Sequence, residues 1–190
     1  MKRLFAALKI LPDVEFLEKY LDLKHELQHE QIKWVEEHNI HITLKFFGET
    51  EEHRIPRMCS VLGERALITS PFKLRLSRLG IFGSSYAPKV IWAGIQPYAE
   101  LALLMKNLHE DMKTVGFEPD RQNLVPHLTL GRIKFLRDKI IFNRIMEEYN
   151  AITSLPVNIT EMILFESILR REGPEYIVVE KFPFRKKELP

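Results

Sequence analysis

One short pattern occurs twice in the chain: His41-Ile42-Thr43-Leu44 within NIHITLKFFG, and His127-Leu128-Thr129-Leu130 within VPHLTLGRIKF. Seven histidines and seven threonines among 190 residues give roughly 0.26 His-x-Thr triplets by chance, and the two apolar positions reduce this to about 0.05. Residues two apart in a strand share a face, so each His and Thr project together while Ile42, Leu44, Leu128 and Leu130 point into a core. The chain must therefore build two separate half-buried strands, each offering one imidazole and one hydroxyl. Two ordinary strands with polar residues toward water are the plain alternative. A single copy would favour that alternative, and the repeat argues against it.

The rest of the chain supplies elements to hold such strands. Residues 2 to 8 (KRLFAAL) form an apolar run that Lys9 interrupts before it reaches the length of a secretory signal, so it reads as a buried first strand. Asp13 caps a helix to about residue 28, with Val14, Leu17, Tyr20, Leu21 and Leu27 at helical spacing. Strands are predicted at Gln31 to Val35 and at Asn39 to Phe47, with Gly48 closing the second, and a helix from near Arg54 to about Arg65. Two strands around Phe72 to Leu76 and Val90 to Trp92 flank a long turn from Gly80 to Pro88. Helices are predicted at Tyr98 to Val115, ended by Gly116, and at Phe135 to Asn150. Strands at Val125 to Ile133, Val157 to Leu169 and Glu175 to Phe182 complete the set, the last two around a turn at Gly173-Pro174. Without a low-complexity linker, the class is α/β or α+β with substantial antiparallel content, in one compact domain or two small fused lobes sharing a core.

Composition narrows the partners. Lys plus Arg number 28 against 26 Asp plus Glu, so nucleic-acid contact would be a local site and not a basic face. The one cysteine, Cys59, excludes an internal disulfide framework or a Cys-based cluster and suits a reducing cytoplasm. No stretch reaches the apolar length of a membrane span.

If the two motif strands meet across an approximate two-fold axis, two imidazoles face each other with a hydroxyl beside each. That arrangement suits in-line displacement at phosphorus. A neutral imidazole takes a proton from water, a protonated one gives a proton to the departing oxygen, and the threonines hold the non-bridging oxygens. An ordinary imidazole pKa near 6.5 allows one of each near neutrality, so no metal or other cofactor is called for.

The paired His-x-Thr-x motifs, eighty to ninety residues apart, resemble those of the 2H phosphoesterases, and within them the RNA 2′,3′-cyclic phosphodiesterases, historically named 2′-5′ RNA ligases. RLFAAL, IKWVEEHNIHITLKFFGE, APKVIWAGI, PHLTLGR and ILFESILRREGPEYIVVEKFPF follow that family's succession of elements over nearly the whole chain. The resemblance implies a single α+β domain, residues 1–190, of two intertwined, pseudo-two-fold-related lobes, with antiparallel sheets, helices packed outside and a central cleft carrying the two His-x-Thr-x strands. It also implies hydrolysis of RNA 2′,3′-cyclic phosphate ends to 2′-phosphates, by a monomer acting on RNA ends or related small cyclic nucleotides, without a membrane or an obligate protein partner. By the same resemblance His41 would protonate the leaving oxygen, His127 would activate water, Thr43 and Thr129 would bind phosphate, and Arg132 would add positive charge. Strict alternation puts Arg132 on the face opposite His127, so its use requires an irregularity near Gly131. Lys45 shares the alternation of His41 and Thr43 and could supplement the charge.

Two other readings compete. His25-Glu26-Leu27-Gln28-His29 is a literal H-E-x-x-H, the spacing of a zinc protease, but it lacks a third histidine and has polar flanks, which favours an exposed helix end. A non-catalytic RNA-end or nucleotide-binding module could use the same cleft, although binding alone does not need two proton-transfer groups. His38, His53 and His109 read as surface or capping residues, Trp34 and Trp92 as core, and Lys186-Lys187 as a solvated basic end.

Overall fold

The computed structural model describes residues 1–84, 86–118, 125–171 and 173–185. Its strands are β1 (Lys2–Lys9), β2 (Gln31–Trp34), β3 (His41–Thr50), β4 (Phe72–Ser84), β5 (Ala87–Gln96), β6 (Leu128–Phe135), β7 (Val157–Ile159), β8 (Glu161–Leu169) and β9 (Pro174–Pro183). Its α-helices are α1 (Val14–Glu26), α2 (Ile55–Leu67), α3 (Ala99–Lys113) and α4 (Lys139–Glu148). The fold is α+β: two sheets, antiparallel throughout, with strand orders β3-β1-β8-β9 and β2-β6-β5-β4-β7. Each motif strand lies beside the strand that precedes its unit's helix, β3 on β1 and β6 on β5.

Local chemistry accounts for most boundaries. The Asp13 carboxylate accepts from the Phe16 N–H at 3.1 Å and starts α1, and Pro56 sits in the first turn of α2, where its missing donor costs nothing. On α3, Leu101, Leu104, Met105, Leu108 and Met112 are all buried, a stripe whose burial contributes on the order of 10 kcal/mol. One core reaches from Leu4, Leu8 and Leu44 in the first sheet to Ile91, Leu128 and Leu130 in the second. A smaller cluster of Phe5, Ala7, Ile163 and Phe165 covers the other face of the first sheet.

Three expected boundaries are corrected. Gly48 does not end β3. It takes φ +72° beside an irregularity in the β1 pairing, where Leu4 faces Gly48 and Phe5 faces Phe46, and the strand runs on to Thr50. The long turn at Gly80 to Pro88 is largely strand, because β4 and β5 stay paired up to Ser84 and Ala87. The stretch from Val157 to Leu169 is two strands: β7 pairs with β4 in one sheet and β8 with β1 and β9 in the other. The Lys186-Lys187 tail lies outside the described residues.

Candidate active site

β3 and β6 each carry a motif and each break register at the same place. In β3, Ala7 faces Thr43 and Ala6 faces Lys45, so a bulge lies between them; in β6, Trp92 faces Thr129 and Ile91 faces Gly131. One extra residue reverses the alternation beyond it. In β6 this returns Arg132, exposed, to the face of Thr129. Gly131 turns instead toward the core, where an added Cβ would stand 2.8 Å from Ile32 Cγ2 and 2.9 Å from Trp34, so glycine is required. The irregularity that Arg132 needed is thus a bulge.

The same device corrects the expectation for Lys45. It does not share the face of His41 and Thr43. It is 2% exposed on the core side beside Ala6, and its ammonium donates to the Glu118 carbonyl at 2.7 Å.

A buried polar side chain meets each bulge from the opposite half of the chain. The Tyr20 hydroxyl of α1 lies 2.7 Å from the Val35 carbonyl and 2.9 Å from the Leu130 carbonyl, and donates between them. His109 Nε2 of α3 donates to the Leu44 carbonyl at 3.0 Å. His109 is therefore not a surface residue; it is 2% exposed. No residue pattern singled out either clamp, since their partners are carbonyls distant in sequence.

The motif histidines are anchored alike. His41 Nδ1 lies 2.6 Å from the Asn39 carbonyl, and His127 Nδ1 lies 2.8 Å from the Val125 carbonyl. A carbonyl only accepts, so in each ring Nδ1 carries the proton and Nε2 is the nitrogen this contact leaves unengaged. Aromatic rings fix the planes. Phe82 meets His127 edge-on at 4.6 Å and stacks on Trp92 at 5.2 Å, while Phe5 and Tyr176 pack against His41 at 5.1 and 5.2 Å. Trp92 is thus not a core residue as expected: it is half-buried on the Thr129 face and braces His127 through Phe82, whereas Trp34 does pack on the core.

Burial is the main cause that holds both imidazoles below their ordinary pKa of 6.5, and the Arg132 cation lowers both further. His127 adds a like-charge effect on His41. Arg132 also acts on the Tyr176 hydroxyl, which burial raises. These couplings bring His41, His127, Arg132 and Tyr176 into one electrostatic neighbourhood. Beside His41 lies a cavity of about 200 Å³, floored by Phe165, Tyr176 and Val178 and edged by Lys9 and His38.

The H-E-x-x-H segment is not a helical pair. α1 stops at Glu26 with Leu27 as its cap, so His29 lies beyond the helix and both histidines are exposed. His38 and His53 are exposed as expected, and among the described residues no helix is long and apolar enough to cross a membrane.

The two sheets thus present two histidines, each followed by a same-face threonine, and sequence comparison identifies the class to which such a chain belongs. The family described as LigT like Phosphoesterase matches residues 13–92 and 95–176, and the chain belongs to it. It is 31% identical over 180 residues to the RNA 2′,3′-cyclic phosphodiesterase of Methanocaldococcus jannaschii, covering 95% of this chain and 99% of that one. It is also 31% identical over 180 residues to the protein of that name in Aquifex aeolicus, covering 94% and 93%. Among solved structures, TT0787 of Thermus thermophilus superposes with a TM-score of 0.78 at 24% identity, covering 98% of this chain and 100% of that one. E. coli LigT complexed with 3′-AMP gives 0.73 at 20% identity, covering 97% and 99%. These two likenesses concern the fold.

Proposed function

We propose that this protein hydrolyses RNA 2′,3′-cyclic phosphate ends to 2′-phosphates by two-histidine acid–base catalysis without a metal. The observation that carries the reading is the matched anchoring of His41 and His127, which leaves Nε2 of each to exchange a proton. His127 Nε2 takes a proton from water as the water oxygen bonds to phosphorus. The bond from phosphorus to O3′ breaks, and His41 Nε2–H gives its proton to O3′, leaving a 3′-hydroxyl and a 2′-phosphate. Thr43 and Thr129 donate to the non-bridging oxygens, and Arg132 offsets the charge that builds on them. The relatives named RNA 2′,3′-cyclic phosphodiesterase support this substrate class. One chain carries both histidines, so the reaction asks for no second subunit.

The arriving phosphodiester anion opposes the Arg132 effect on both imidazoles, which favours the protonated form His41 needs when substrate is bound. The deciding experiment is incubation with an oligonucleotide ending in a 2′,3′-cyclic phosphate, in excess chelator, with the product ends resolved. A 2′-phosphate formed at undiminished rate supports the reading. A 3′-phosphate product, or loss of rate restored by zinc, overturns it.

A further inference from the structure

Beyond Thr129, the pairing of β6 with β2 sorts side chains by charge. Ile32 pairs with Ile133, and both pack on the core, while the next pair, Lys33 with Arg132, faces the other way. Lys134, two residues beyond Arg132, is exposed as well and stands where the pairing slips by one residue, between the Ile133–Ile32 and Phe135–Gln31 pairs. Lys33, Arg132 and Lys134 are all exposed, and among the described residues none of the three has an acidic partner within ion-pair distance. Glu30, next to the start of β2, is already engaged: its carboxylate accepts from the backbone N–H groups of Arg137 and Asp138. The Lys33 side chain ends against Gly173, in the turn between β8 and β9, so this row of cations begins where the two sheets approach each other.

In a chain whose cations exceed its acids by only two, such an unopposed row marks one direction out of the cleft. The rim beside His41 differs, being floored by Phe165, Tyr176 and Val178 with Lys9 as its single lysine. We infer that Lys33 and Lys134 bind the phosphodiester backbone of the RNA on the 5′ side of the reacting nucleotide, so that the protein acts on chain ends in preference to cyclic mononucleotides. This rests on the cyclic-phosphate reading of the cleft. The direction follows from the chemistry of that substrate: a 2′,3′-cyclic phosphate closes the 3′ end, so every further phosphate is 5′ to it. Arg132 then serves the reacting phosphate, and the two lysines, Lys33 across the ladder from it and Lys134 along its own strand, serve the phosphates 5′ to that one, as point charges suited to a backbone of variable conformation.

The test compares a 2′,3′-cyclic mononucleotide with a pentanucleotide ending in the same group, for wild type and for Lys33→Gln/Lys134→Gln. The double variant should raise KM for the pentanucleotide roughly ten-fold, the size of two exposed ion contacts, and leave kcat/KM for the mononucleotide unchanged. The slope of log affinity against log salt for the pentanucleotide should fall in magnitude by about 1.4. Equal losses on both substrates, or none on either, would overturn the inference. A protein that turns over neither substrate defeats the catalytic reading alone. In that case anisotropy of a 5′-labelled pentanucleotide 3′-phosphate decides: salt-dependent binding weakened in the double variant upholds the backbone site, and equal binding removes it.

Discussion

β3 and β6 are the same device for four residues and different devices after that. Both anchor the histidine to a carbonyl two residues back, both turn the threonine to the cleft, and both bulge before the next register pair. Beyond the bulge, β3 sends Lys45 to the core, and Phe46 comes to face Phe5 of the cleft-side cluster with Arg3 over its ring. β6 sends Gly131 to the core and Arg132 to the cleft. The pair of anchored histidines is therefore close to symmetric while the charge around it is not. The cation that acts on both imidazoles belongs to one strand, and the site has one electrostatic side.

The largest effects should come from what the strands share. His41→Ala and His127→Ala should each lower the rate on a 2′,3′-cyclic phosphate by roughly 10²-fold or more, and the double variant should lose less than the product because both groups serve one transition state. Symmetry should break in the leaving group. A nitrophenyl phosphodiester, whose leaving oxygen departs as an anion, should restore much of the rate to His41→Ala and little to His127→Ala; the opposite pattern would exchange their roles.

What the strands do not share should show next. Arg132→Gln should reduce kcat/KM about 10- to 100-fold, the loss of one charged hydrogen bond to phosphate, whereas Phe46→Leu should change it less than about three-fold. Because Arg132 lowers both imidazole pKa values, its removal should move both limbs of the kcat/KM profile to higher pH. Unmoved limbs would place the cation outside the site's field.

The clamps come third. Tyr20→Phe removes the donor at the Leu130 bulge and should cost about 1–2 kcal/mol in denaturant unfolding, with a lower kcat as Arg132 loses its fixed place. The smallest effect is on pH stability. His41 and His127 titrate below 6.5 when folded and near it when unfolded, so the unfolded chain binds more protons as pH falls below that value. Stability should be full above about pH 6.5 and decline below it toward the folded values, and His41→Gln should make the decline shallower in melts between pH 7 and 5.

How much of this was legible in the sequence follows from the range of each interaction. The four motif residues could be read because a strand's two-residue period is local. Asp13 and Pro56 could be read for the same reason, since caps act within one turn. Bulges break that local rule: Lys45 and Arg132 exchanged the faces that alternation assigns them, and only the partner strands Ala6–Ala7 and Ile91–Trp92 reveal where the count slips. Gly131 was the one visible warning. His109 and Tyr20 were illegible because a buried donor is defined by the carbonyl it meets, here 65 and 110 residues away. Trp92 misled because a large ring in an apolar run reads as core whichever face of the sheet it takes.

The crossing of the clamps bears on whether the molecule can be divided. Tyr20 comes from the helix that follows β1 yet serves β6, and His109 from the helix that follows β5 yet serves β3. The first half of the chain also contributes β2 and β4 to the sheet that carries the second motif, while β8 and β9 return to complete the first. A fragment cut between β5 and α3 would hold His41 without the donor that closes its bulge, and the complementary piece would hold His127 without Tyr20 or the strand against which Gly131 packs. Neither piece carries a motif strand together with the donor that closes its bulge, so each histidine depends on the other half of the chain for its setting.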